Sequence, residues 1–105
     1  MIWSWHGWSD CWRNEPSLKQ WVWANVVSIG LALVLDLSTA ERALIISLGI
    51  LILAAELMNT AIERTIDYIS DKKHPLAKQA KDAASAAVAI TAIAAGAAWL
   101  VILLG

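Results

Sequence analysis

Ala43-Leu-Ile-Ile-Ser-Leu-Gly-Ile-Leu-Ile-Leu-Ala-Ala55 runs straight into Glu56-Leu-Met-Asn59-Thr-Ala-Ile-Glu63, and that junction decides the fold. Thirteen residues without a charge are followed, with no proline and no turn signal, by an amide and two carboxylates. Read as one helix, positions 56, 59, 63 and 67 step by three, four and four, so Glu56, Asn59, Glu63 and Asp67 share a face. At 1.5 Å per residue that stripe is roughly 16 Å long. A carboxylate at membrane depth costs about 2.5–3.5 kcal/mol even on mild insertion scales, so acids there are functional candidates. Three on one face call for a cation.

Working outward, the composition points to lipid as the solvent. The chain is 59% hydrophobic and 16% charged, with seven Trp and no Phe. At 105 residues it is read as a single domain over 1–105, too short for a large multi-helix enzyme. Its formal net charge of −1 gives no field suited to nucleic acid, and the single Cys11 allows no internal disulfide. Four Trp in the first twelve residues, with no apolar core and small-residue cleavage site, argue against a signal peptide.

The expected fold is an all-α membrane protein, with a surface helix and three spanning helices. Trp5, Trp8 and Trp12 gather on one face, which predicts an amphipathic helix over about 3–14 lying among lipid headgroups. Pro16 restarts the chain, and uncharged Gln20–Leu35 predicts a span over about 18–35. Asp36 to Arg42 reads as a short loop in which Ser38 and Glu41 form a capping box, opening a second span over about 40–69. Ser70 to Pro75 breaks it, and uncharged Ala83–Gly105 predicts a third span over about 76–104. The small residues of that span, Gly96 and many alanines, suit close helix contact. Lysines 72, 73, 78 and 81 outweigh the lone Arg42 of the other loop, so the N-terminus and the second loop are expected in the cytoplasm.

Lys78, Lys81, Asp82 and Ser85 share a face at the cytoplasmic end of the third span, level with Glu63 and Asp67. Carboxylates suit Mg²⁺ bound together with substrate phosphates, and lysines bind phosphates. With one deeper acid, Glu56, as a base, this is a minimal kit for phosphoryl transfer. The same glutamates read equally well, by spacing, as a proton or cation site in a small transporter. Lys72 and Lys73 also read as topology signals, Ser85 as a helix-contact hydroxyl, and His74 as a cap. No Walker loop or Gly-rich kinase loop is present.

Glu56-x-x-Asn59-Thr-Ala-Ile-Glu63-x-x-x-Asp67, followed by His74-Pro-Leu-Ala-Lys-x-Ala-Lys81-Asp82, resembles the prokaryotic diacylglycerol kinase family. Trp12-Arg13-Asn14-Glu15 is similar to its N-terminal Trp-x-Asn-Glu tract, and the resemblance covers nearly the whole chain. It implies a homotrimer of three-span subunits with shared active sites in a bacterial inner membrane. It also implies Mg²⁺-dependent transfer of the ATP γ-phosphate to the hydroxyl of diacylglycerol. By position, Glu56 is similar to the catalytic base, and Glu15 and Glu63 to metal-binding carboxylates at the ATP site. Lys73, His74, Lys81 and Asp82 match the rest of the ATP site. Trp12, Arg42, Asn59, Ser85 and Trp99, with Glu56, match the lipid side. Trp21 departs from the family, standing where relatives often carry an acid. The Ala-Ala-Ser85-Ala-Ala-Val tract looks more like the diacylglycerol branch than the undecaprenol branch, which is kept as the alternative.

Overall fold

A computed structural model describes residues 2–105 as four helices: α1 Ile2–Asn14, α2 Pro16–Val34, α3 Thr39–Ile69 and α4 Pro75–Leu104. Three of them, α2, α3 and α4, are long and apolar enough to cross a membrane. Two prolines set two of the boundaries. Pro16 and Pro75 each occupy the first helical turn, where a missing N–H is harmless. Each also drives the residue before it out of helical conformation. Glu15 (φ −118°, ψ 98°) and His74 (φ −143°, ψ 139°) are accordingly extended, and their side chains stand at helix junctions.

The α2–α3 bend is closed by the capping box. Ser38 Oγ accepts from Glu41 N–H (3.1 Å), and Glu41 Oε1 accepts from Ser38 N–H (2.8 Å). The cap starts α3 at Thr39, so Arg42 lies inside the helix rather than in the loop.

α3 is the central element, packed against both α2 and α4, while α1 touches α2 and α3. Its buried face, Ile45, Gly49, Ile52, Glu56 and Thr60, steps by three and four. The α2–α3 pair is antiparallel with constant register. Bonded partners are 17 with 56, 25 with 49 and 32 with 42, each pair adding to 73 or 74. The outer surface is apolar: Val34 and Leu104 are more than four-fifths exposed, and α4 buries only Ala84 and Val88 within the chain. At 31 residues α3 is roughly 46 Å long. A hydrocarbon core is about 30 Å thick, so one end of α3 extends beyond it.

Candidate functional site

Glu56 is buried in the α2–α3 interface and 5% exposed. Ser17, in the first turn of α2, donates its hydroxyl to Glu56 Oε1 at 2.6 Å. No described side chain bonds the second oxygen, Oε2. A carboxylate with one oxygen held and the other available has the form a general base requires.

The α1–α2 junction lies beside it. The register of α2 on α3 puts Glu15 level with Asn59. From α3, the Arg64 guanidinium reaches back to this junction and donates to Glu15 Oε1 at 3.0 Å and to Asp10 Oδ2. The hydrogen bond from Arg64 holds the Asp10 carboxyl below the usual carboxylate range. Burial raises the neighbouring Cys11 thiol, so at neutral pH it is a small packing group, not a nucleophile. Trp12 stacks on Trp8 with ring centroids 6.2 Å apart, and the Lys19 ammonium sits 5.5 Å from its ring centre.

Asn59 and Glu63 continue the Glu56 face of α3, both half-buried. The Asn59 side-chain oxygen is buried without a hydrogen-bond partner. A buried oxygen left unpaired is an open acceptor, and native folds seldom leave one idle. Among the described residues no three acids, histidines or cysteines converge tightly enough to enclose a metal alone. Mg²⁺ does not require that, since one or two carboxylates plus substrate phosphates suffice. The hard oxygens of Glu15, Glu63 and Asn59 fit such an ion chemically.

At the far end of α3 an open cavity of about 700 Å³ lies between the ends of α3 and α4. It brings together Asp67, Lys73, His74, Lys78, Lys81 and Asp82. Lys81 Nζ bonds Asp67 Oδ1 at 2.7 Å, fastening α4 to α3, and Lys78 pairs with Asp82 at 2.7 Å. His74 caps α4, with Nδ1 accepting from Leu76 N–H at 3.1 Å. That bond leaves Nε2 as the donor of the neutral ring. Glu15, Glu56 and Glu63 do not line this cavity; the two α3 glutamates lie further along the same α3 face, and Glu15 at the α1–α2 junction.

The opposite half of the bundle is held differently. Arg42 donates to Ala32 O (2.8 Å), a carbonyl that α2 leaves open at its end, and to Leu35 O (3.1 Å), which also accepts from Leu37 N–H. Asn25 donates to Gly49 O (3.0 Å) and Trp21 O (3.1 Å). A Cβ on Gly49 would run into the Asn25 carboxamide. Trp99 Nε1 donates to Ser28 Oγ at 2.9 Å, spanning from α4 to α2. Ser85 is exposed on α4.

The sequence model of prokaryotic diacylglycerol kinase matches residues 2–103. The chain belongs to the prokaryotic diacylglycerol kinase family. Membership places it among lipid kinases. It is 44% identical over 99 residues to the diacylglycerol kinase of Pseudomonas aeruginosa, covering 94% of this chain and 80% of that one. To the diacylglycerol kinase of Escherichia coli it is 37% identical over 100 residues, covering 95% and 82%. A shorter match, 53% identical over 47 residues, is to the undecaprenol kinase of Bacillus subtilis, covering 45% of this chain and 38% of that one.

For a kinase of this family, four of the polar contacts above involve residues that spacing alone did not single out. Ser17, Asp10, Arg64 and Asn25 each meet a partner on another helix. A one-helix face pattern carries no signal for such pairs. For Ser17 the usable hint was its place directly after Pro16, since a first-turn serine has no helical carbonyl behind it to bond.

Proposed function

We propose that this chain is an ATP- and Mg²⁺-dependent diacylglycerol kinase of a bacterial inner membrane. It works as a homotrimer with shared sites, its N-terminus and nucleotide cavity on the cytoplasmic side and α1 on the membrane surface. The observation that carries this reading is Glu56, buried, with Oε1 held by Ser17 and Oε2 free, on the α3 face that leads to the lysine-lined cavity. Family membership supplies the class of reaction.

In the reaction, Glu56 Oε2 takes the proton of the lipid hydroxyl. The lipid oxygen bonds to the γ-phosphorus of ATP as the bond to the β–γ bridging oxygen breaks, leaving phosphatidic acid and ADP. Lys81 and Lys73 hold phosphate oxygens as point charges, and the His74 Nε2–H donates beside them. Glu15 and Glu63, with the Asn59 oxygen, would hold Mg²⁺, which neutralises charge developing on the transferring phosphoryl group. Trp12, Arg42, Ser85 and Trp99 are assigned to the lipid side by their match to the family, although Arg42 and Trp99 hold bonds to α2 in the single chain. The mostly uncovered α4 is the surface that lipid and neighbouring copies cover.

Radiolabelled ATP presented to the detergent-solubilised protein with diacylglycerol or undecaprenol tests the acceptor. Diacylglycerol should be labelled in preference. Preferential labelling of undecaprenol would transfer the chain to the branch of its Bacillus subtilis relative. In the same assay, Glu15→Gln and Glu63→Gln should each raise the Mg²⁺ concentration needed for half-maximal rate. An unchanged requirement in both would take the metal role from these carboxylates.

A further inference from the structure

Two hydroxyls inside α3 and α4 bond their own helix. Thr65 and Thr91 donate to the carbonyls of Ala61 and Ala87, four residues back on their own helices. Ser17 does not. Its hydroxyl crosses to Glu56, 39 residues away, at 2.6 Å. A base acts in its ionised form, and a hydroxyl bonded to an ionised carboxylate makes a bond roughly twice as strong as a neutral one.

The local sequence explains the difference. Pro16 begins α2, so Ser17 stands in the first turn, before any intrahelical carbonyl lies within its reach. The same turn carries the positive end of the α2 dipole, which favours a nearby anion. Glu56 sits beside that turn and is buried.

We propose that Ser17 is a positioning residue for Glu56. It locks Oε1 so that Oε2 alone is presented to the acceptor hydroxyl. The proposal rests on reading Glu56 as the base. A glutamate has three rotatable side-chain bonds, and an unheld carboxylate turns among several rotamers. Fixing one oxygen removes that freedom before substrate arrives and orients the free lone pairs along one direction. Displacing a base by about 1 Å can cost on the order of a hundredfold in rate. Because Ser17 never touches ATP or lipid in this arrangement, its effect falls on the chemical step.

The test compares Ser17→Ala, Ser17→Thr, Ser17→Cys and Glu56→Gln, with the Ser17→Ala/Glu56→Gln double variant, in detergent-solubilised enzyme. Ser17→Ala should lower kcat by about tenfold to a hundredfold, the worth of a hydrogen bond to a charged group, with KM for ATP and for lipid unchanged. Ser17→Thr, which keeps the hydroxyl, should restore kcat, and Ser17→Cys, a weaker donor of similar size, should fall between. In the Glu56→Gln background, Ser17→Ala should change kcat less than about twofold, as expected for groups that act as a unit. Normal kcat in Ser17→Ala beside an inactive Glu56→Gln would overturn the positioning role and leave the base intact. So would a rise in KM at unchanged kcat, no rescue by threonine, or full additivity in the double variant. A Glu56→Gln enzyme that turns over normally would remove the base itself, and the proposal with it.

Discussion

The two halves of α3 are held to their neighbours in different ways. From Thr39 to Ala55, polar side chains close on backbone: Arg42 on two carbonyls of the α2 end, Asn25 on the carbonyl of Gly49. From Glu56 to Ile69, side chains meet side chains: Ser17 with Glu56, Arg64 with Glu15 and Asp10, Lys81 with Asp67. Backbone partners are fixed by the fold, so the first half makes a frame. Carboxylates and ammonium groups can exchange one partner for a phosphate, a metal or a lipid hydroxyl, so the second half is where we place the reaction. On that proposal stability and chemistry are separable along a single helix.

The strongest way to break that division is at Glu56. If the reactive half carries the proton transfer, Glu56→Gln should lose about 10²–10⁴ in kcat with little change in nucleotide KM. Folding, read by helical circular dichroism, should survive. Near-normal turnover would place the base elsewhere. Lys81→Met is next in size. It removes the proposed phosphate ligand and the Asp67 partner while keeping the stem, and should raise the ATP requirement about ten- to a hundredfold. Unaltered ATP kinetics would mean that Lys72, Lys73 and Lys78 suffice without it, and that Lys81 only ties α4 to α3.

The frame half should answer in the opposite sense. Gly49→Ala drives a methyl into the Asn25 carboxamide. Overpacking of this kind typically destabilises by about 1–3 kcal/mol. The expected result is a lower Tm and a shorter half-life in detergent, with kcat per folded molecule preserved. A stable Gly49→Ala enzyme with poor kcat would show that the two halves are coupled. The smallest effect belongs to Asp10, which sharpens the boundary between them. Its carboxyl is lowered in the folded state by the hydrogen bond from Arg64, so the bond stabilises the docked α1 above the ordinary carboxylate value. That contribution is lost as pH falls through the lowered folded value. Tryptophan emission from α1 should therefore hold steady from pH 8 to about 4 and shift only below it. Asp10→Asn should abolish that acid step. Salt should weaken the contact throughout, since both partners are solvent-exposed.

Much of the frame was legible in the sequence, and the reason is that its signals are local. The Ser38–Glu41 box, Pro16 and Pro75 each act within one helical turn, and all three appear where the pattern of residues put them. The three apolar helices follow from runs of uncharged residues. The face shared by Glu56, Asn59, Glu63 and Asp67 is likewise a property of one helix. What spacing did not disclose is the register between helices. Glu56 meets Ser17, and Gly49 meets Asn25, only because α2 runs antiparallel to α3 at one particular offset. Arg64 illustrates the limit best. In the sequence it is one more cation after an acid, yet it spans back to two carboxylates 49 and 54 residues earlier. Glu15 was named through the family tract rather than through periodicity. Its exposure at the junction comes from the proline after it, a relation that His74 repeats before Pro75.

The constant offset of α2 against α3 also makes this hairpin self-contained. Arg42 caps the carbonyls of its bend without any contribution from α4. Such a hairpin enters lipid with its turn already satisfied, and Ser17 and Glu56 come level within it. The lysines that fasten on Asp67 and line the cavity arrive only with the last third of the chain. Without the residues after 70, the chain would keep the proposed proton acceptor and its Ser17 partner but lose the proposed grip on a nucleotide.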